Sequence, residues 1–459
     1  MKRIKLLAII SFAIISLNTW GQNVHRTACQ GKLARLDSLL SDTTDINIQD
    51  ERGRSLLHYA VGCRQKEVLD FLIRRGININ IQDNRGETPL SVAVQIDDKI
   101  FFEPLINLQV KGDFTKEYGA SLLEKAVMNE NLYFVQKLID KEVELNLANN
   151  RGSTLLEIAL REGTNAIADY LISKGADKSK VRTFELEGKY MGQARPDTKA
   201  TMFAPNFIST ENFVHNGVFH PNGKEFYYTI ETRKYNRGTI MVSKLDGKTW
   251  SKPEPAPIPG TYREVGPFIS RDGNHLYYSS NRSVSETDSI GSSLDLWMLK
   301  RNGDSWSPPI HLGMEVNTDG NDWFPTISDN GTLYFYVQEG RSGNIYYAEN
   351  KNRKYQKAVL IEGVGNGEFY NYDPFIAPDE SYLIFASRDR PDGLGNADLY
   401  ISFKNDQGNW SKPKNMGEGV NSADGEYAPL LTPDGKYLFF SRGYGDIYWV
   451  DAKLIKNLK

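Results

Sequence analysis

Gly86-Glu87-Thr88-Pro89-Leu90-Ser91-Val92-Ala93 is the stretch that decides how the first half of the chain folds. Thr88 reads as a helix N-cap with Pro89 in the first helical position, and Leu90 and Ala93 fall on one face. The phrase stands 33 residues upstream as Gly53-Arg54-Ser55-Leu56-Leu57-His58-Tyr59-Ala60. Downstream, at the same interval, it returns as Gly119-Ala120-Ser121-Leu122-Leu123-Glu124-Lys125-Ala126 and Gly152-Ser153-Thr154-Leu155-Leu156-Glu157-Ile158-Ala159. A second helix is marked by Val68-Leu69-Asp70-Phe71-Leu72-Ile73 and Ile167-Ala168-Asp169-Tyr170-Leu171-Ile172. Gly76 and Gly175 follow these runs, where a positive φ would end the helix.

This period and phrase resemble the ankyrin repeat. Thr88-Pro89-Leu90 keeps its Thr-Pro-Leu and His58 its histidine. His25 to Asp50 reads as a degenerate cap, with Ala28, Leu33, Leu36, Leu39 and Leu40 apolar. A cap and four repeats are enough to bury a stacked core. The resemblance implies recognition by the hairpin tips: Asp50, Glu51 and Arg52; Asp83, Asn84 and Arg85; Glu117 and Tyr118; Asn149, Asn150 and Arg151. Ordinary polar turns are the alternative. Cys29 and Cys63 lie near equivalent places in neighbouring repeats. Repeats stacked about 10 Å apart exceed the roughly 7 Å reach of a disulfide, which favours two small buried thiols over a bond.

Beyond residue 200 the period changes. Turns Pro221-Asn222-Gly223, Arg271-Asp272-Gly273, Asp329-Asn330-Gly331, Pro378-Asp379-Glu380 and Pro433-Asp434-Gly435 each precede an aromatic strand. An anchor position before each turn holds Val218, Pro267, Pro325, Pro374 and Pro429, at intervals of 49, 58, 49 and 55. Third strands follow, such as Asp295-Leu296-Trp297-Met298 and Asp446-Ile447-Tyr448-Trp449. A fourth element reads Trp250-Ser251-Lys252-Pro253, Trp306-Ser307-Pro308-Pro309 and Trp410-Ser411-Lys412-Pro413. Four short antiparallel strands repeated about an axis predict a β-propeller.

These modules resemble the WD40-like propeller repeats of secreted bacterial proteins of the TolB type. Five copies predict five blades, with six as the alternative if one has diverged. The last module stops after its third strand. Met202 to Ile208 resembles the missing fourth, with Pro205 in the place of Pro253, so ring closure by this N-terminal strand is expected.

The whole chain therefore reads as α-helical plus all-β. A leader spans 1–21, ankyrin repeats 22–180, a linker 181–199 and the propeller 200–459. Lys2, Arg3 and Lys5 precede the apolar run Leu6 to Leu17, and Thr19 and Gly21 stand before a cleavage point at Gln22. That is a secretory signal, with an uncleaved anchor as the alternative. A periplasmic or secreted protein is expected, with no membrane span after cleavage.

Composition narrows the function. The 459 residues carry 55 Lys and Arg against 58 Asp and Glu, a net charge of -3, which leaves no basic excess for nucleic acid. Two cysteines are too few for a structural zinc site or a disulfide scaffold. Six histidines, His25, His58, His215, His220, His275 and His311, show no metal-ligand spacing, and no nucleophile elbow is present. Gly363-Val364-Gly365-Asn366-Gly367 matches Gly313 to Asn317 and Gly417 to Asn421, which makes it a connection between blades. Loops near Asp288 and Asp392-Gly393 are thin in calcium ligands. No metal or cofactor is expected.

Two patterns in the propeller carry candidate chemistry. Arg282 with Asp295, Arg388 with Asp398, and Arg442 with Asp446 read as ion pairs within blades. Three residues before each anchor stand His215, Glu264, Asp322, Asn371 and Glu426. The start of an inner strand lies near the axis, so these five would ring one mouth of the channel and accept a basic peptide, a cation or a polar ligand. Solvated turn residues are the alternative. The expectation is a non-enzymatic scaffold that grips other proteins of the cell envelope by bivalent capture. The alternatives are a glycan or peptide hydrolase or lyase in the funnel, and a sensor of a small ligand there.

Overall fold

The computed structural model describes residues 23–41, 45–109, 114–232, 238–260, 262–284, 293–443 and 445–459. The leader and Asp288 lie outside the described residues. Two compact units divide the chain at Arg182 and Thr183.

The first unit is a stack of helix pairs. They are α1 (23–29) and α2 (Leu33–Ser41), α3 (Leu56–Gly62) and α4 (Lys66–Arg74), α5 (Pro89–Gln95) and α6 (Lys99–Leu108), α7 (Lys116–Met128) and α8 (Leu132–Ile139), and α9 (Leu155–Arg161) and α10 (Asn165–Ser173). In three pairs the first helix, α3, α5 or α9, starts on the expected cap, Ser55, Thr88 or Thr154. Thr88 Oγ1 accepts the Ser91 N–H at 3.2 Å, and Ser91 Oγ receives the Thr88 N–H at 2.9 Å. Ser55 and His58 form the same reciprocal box, and His58 Nε2 reaches on to the Glu87 carbonyl of the next repeat at 2.9 Å. Leu56, Leu57, Ala60 and Val61 pack in one core with Leu90, Ala93, Val94, Leu122, Leu123 and Ala126. Each such leucine is worth about 1.5–3 kcal/mol on burial.

Two expectations fail here. The third copy of the phrase does not start a helix at Ser121: α7 begins at Lys116 and runs through Gly119, whereas Gly53, Gly86 and Gly152 turn with φ near +76°. A side chain there would meet Val143 at 2.7 Å, so packing rather than a turn requires this glycine. Cys29 and Cys63 are joined, with Cα atoms 5.2 Å apart, where two free thiols were expected. The repeat spacing describes helix axes, not residues facing each other across the gap. Cys63 is the C-cap of α3, one residue past the place equivalent to Cys29.

The second unit is a ring of five antiparallel sheets. Its inner strands are Phe213–Phe219, Glu264–Ile269, Asn321–Ile327, Tyr370–Ile376 and Glu426–Leu431, each packed on its two neighbours, with the first against the last. Thr201–Met202 pairs with the third strand of the fifth blade, Thr201 opposite Trp449, and closes the ring. The register differs from expectation. Thr201 stands where Glu254 stands opposite Val242, so Ala200, not Pro205, takes the place of Pro253. The stretch read as a linker is partly folded in: Tyr190 and Met191 are buried among Phe203, Phe219 and Trp449.

Candidate functional site: an apolar cup on the propeller axis

Strand register first relocates one predicted residue. His215 lies opposite Thr229, as Trp323 lies opposite Tyr336 and Tyr372 opposite Ala386. In the first blade the true counterpart of Glu264 is therefore Val214, and the anchor is Gly217 rather than Val218. Without a proline, the sequence offers no mark of that one-residue slip.

The remaining four do share a level, but they are buried: Glu264 is 6 % exposed, and Asp322, Asn371 and Glu426 are 0 %. Glu264 binds Arg282 at 2.9 Å and Glu426 binds Arg442 at 2.8 Å. Asn371 receives Arg390 at 3.1 Å. These same arginines donate to the carbonyls of Pro259, Val420 and Val364 in the incoming connections. Burial pushes both glutamate carboxyls up against the pull of their arginines. Asp322 accepts from the N–H and hydroxyl of Thr318 at 2.9 and 3.0 Å, and burial pushes its carboxyl up to about 7. The four act as clamps between an inner strand and the loop that delivers it, not as an open mouth.

Two of the expected arginine–aspartate pairs, Arg282 with Asp295 and Arg388 with Asp398, have other partners, while Arg442 and Asp446 lie opposite each other in neighbouring strands. Asp295 is bound by His311 at 3.0 Å, Asp398 by Asn415 at 2.9 Å, and Arg388 lies over the rings of Tyr370 and Tyr372.

Next to the clamps each inner strand bulges. The bulged residues are Asn216, Gly266, Phe324, Asp373 and Ala428, and all five have positive φ. For Phe324 and Ala428 this conformation costs about 1–3 kcal/mol each. The bulges link blades: the N–H of Asn216 reaches Ser441, that of Gly266 reaches Thr229, and that of Ala428 reaches Asp373, at 3.0–3.1 Å. Phe324 lies across the axis against His215 and over Gly266, where a side chain would meet its ring at 2.9 Å. The channel is plugged.

Beyond the plug, at the hairpin-turn end, the axis opens into a cup of about 320 Å³. All five blades contribute, chiefly through Val218, Phe268, Ile327, Phe375 and Leu431. Its rim charges are engaged. Arg271 binds Asp329 at 2.7 Å, and Asp434 binds Lys189 at 3.2 Å and Tyr190 at 2.8 Å. The volume sits at the low end for a ligand pocket, and the lining suits an apolar side chain. In the sequence none of these residues stands out as a site; Val218 enters only as an anchor position. The available signal was an apolar residue two or three places before the turn in every module.

On the helical unit, Asp50, Asp83 and Asn149 organise the tips. Each accepts two backbone N–H bonds, from Arg52 and Arg54, Arg85 and Glu87, and Arg151 and Ser153, at 2.8–3.0 Å. Glu51, Arg52, Asn84, Arg85 and Asn150 are left exposed. The Asn84 N–H donates to the Arg52 carbonyl at 2.9 Å, which ties two tips into a ladder. Glu117 and Tyr118 lie in the first turn of α7 instead, and the Tyr118 hydroxyl bonds Thr88. Among the described residues, no cluster of His, Cys, Asp and Glu forms a metal site, and no helix is long and apolar enough to cross a membrane.

No curated protein matches the chain. The family described as ankyrin repeats (3 copies) matches residues 24–111 and 98–182. The chain thus carries helical ankyrin repeats in its N-terminal part, followed by a sheet-rich region arranged as a five-bladed β-propeller.

Proposed function

We propose that the chain is an exported, non-catalytic scaffold that holds partner proteins of the cell envelope. The apolar cup is the observation that carries this reading. Its floor is carbon, its rim charges neutralise one another, and it accepts an apolar anchor of a partner better than it supports acid–base chemistry. The exposed tip ladder around Arg52 and Arg85 supplies a second surface on a rigid stack. Export is supported by the Cys29–Cys63 bond, which suits an oxidising compartment, and by the leader-like first 21 residues.

The test is comparative capture from an envelope fraction, read by quantitative mass spectrometry. Phe268→Asp in the cup is expected to lose a partner about 10–100-fold, and Arg52→Ala with Arg85→Ala to lose the same or another one. Identical retention by both variants refutes the surfaces. Turnover of a glycan or peptide by the purified chain refutes the non-catalytic reading. A chain that keeps Met1 and stays in the cytosol refutes export.

A further inference from the structure

Trp250, Trp306 and Trp410 hold the same position in three blades, each beside the seam with the blade before it, and the three seams are finished differently. Between the first and second blades the seam is closed. The Trp306 indole N–H donates to the Tyr227 hydroxyl at 3.2 Å, and Arg301 binds Glu225 across the seam at 2.7 Å. Between the fifth and first blades the seam is filled by the chain itself. Glu187 bridges Thr249 as an added strand, the Trp250 backbone N–H donates to the Leu186 carbonyl, and its indole N–H donates to the Gly188 carbonyl, both at 2.8 Å. Tyr190 then enters, with its ring 5.1 Å from Tyr437 and 5.7 Å from Trp449 and its hydroxyl on Asp434.

Between the third and fourth blades the seam stands open as a cavity of about 570 Å³. It is bordered by Asn330, Thr332, Tyr334, Tyr347 and Trp410. Strand register makes Thr332, Tyr334 and Tyr347 the counterparts of Tyr437, Phe439 and Trp449, and Asn330 that of Asp434, since each of those two accepts the hydroxyl two residues before it. This is the place that Tyr190 and its flanking strand occupy in the filled seam. Two changes keep it from closing as the first seam does. Thr332 stands in the place of Glu225, so Lys404, in the place of Arg301, has no carboxylate across the seam and binds Glu380 of its own blade at 2.8 Å. The hairpin is also one residue longer, Lys404 to Trp410 against Arg301 to Trp306. The Trp410 indole N–H has no partner among the described residues.

We propose that this open seam docks an extended segment of a partner protein, which adds to the Lys404–Trp410 hairpin, accepts the Trp410 indole N–H on a backbone carbonyl and inserts an aromatic side chain beside Tyr347. The inference rests on the scaffold reading but not on the cup. The mouth favours a basic residue next to the aromatic one: Glu349 and Glu362 are exposed there, and in the filled seam Lys189 plays that part against Asp434 at 3.2 Å.

The probe is a fluorescein-labelled peptide of the chain's own residues 184–193, carrying Glu185→Lys and Glu187→Lys to suit the acidic mouth. It is titrated into the full chain and followed by anisotropy. Saturable binding is expected, weakened at least about tenfold by Trp410→Ala in the chain or by Tyr190→Ala in the peptide. Phe268→Asp in the cup is expected to leave it unchanged. Photo-crosslinking from a benzophenone at the peptide's Tyr190 position maps the site on the wild-type chain, independent of how Trp410→Ala folds. Cross-links to 330–362 and 404–410 support the site. Cross-links confined to the Trp250 seam, binding retained by Trp410→Ala, or no saturable binding overturn it, and none of these touches the capture test of the cup.

Discussion

Replacing Cys29 and Cys63 by serine removes a cross-link between residues 34 apart. Loop-closure entropy for a span of that length is about 4 kcal/mol. The cap held by this bond has little else to hold it. Val24, Ala28, Leu36 and Leu40 are its buried apolar side chains, against seven in the pair formed by α3 and α4. Repeats open from their ends, so the loss is expected locally rather than across the stack. At about 1.4 kcal/mol per decade, the opening constant of α1 and α2 rises by up to about 500-fold. Hydrogen exchange of the oxidised chain and the double variant measures this directly. Protection should fall across 23–41, with a smaller fall in α3 and α4, and stay unchanged in α7 to α10. Unchanged exchange at 23–41 refutes the reasoning. So does a uniform loss from α1 to α10, which would show the helices opening as a single body.

Gly266→Val places a side chain against the Phe324 ring at a position with φ +68°; we expect about 3 kcal/mol or more of destabilisation in urea melts of the sheet unit, and a neutral result would dismiss the plug. Asp322 holds its proton up to about pH 7 when folded, against a usual 3.8. Its contribution is full below pH 3.8 and is lost as pH climbs to 7, so Asp322→Asn should flatten that slope in denaturation midpoints measured at pH 5 and 8. Burial lowers the pKa of His58 from 6.5, so the helical unit should lose stability as pH falls below 6.5, and circular dichroism of His58→Gln should show a weaker fall. Arg301→Met strands Glu225, a largely buried carboxylate now bound at 2.7 Å from the neighbouring blade, and should cost about 3–5 kcal/mol; retention of the wild-type urea midpoint would count against that bridge.

Periodicity made both architectures legible, because a repeat must bury the same face each time. Registers were less so. The first blade's anchor slipped by one residue where Gly217 replaces a proline, and that slip moves a side chain to the other face of the strand. The closing strand slipped by five, since a two-residue pairing leaves almost no pattern to read. Arginines were matched to aspartates close in sequence, while their partners, Glu264 and Glu426, stand across the sheet pairing at the start of the inner strand. The cup stayed hidden because alternation reports that Val218, Phe268 and Phe375 are apolar but not which of them border open space. The disulfide was misjudged by applying an axis spacing to two side chains that meet between axes.

Closure by Thr201 and Met202 has a consequence for synthesis. Their partner strand, ending at Asp451, leaves the ribosome only after every other blade has been made. At about 5–20 residues per second the first-made strand waits on the order of 10–50 seconds for its mate. Throughout that interval the third strand of the final blade does not yet exist, and the early blades expose an edge that only this strand can cover. Any chain cut short before residue 446 is born with its clasp undone, and quality control has an unpaired strand to recognise.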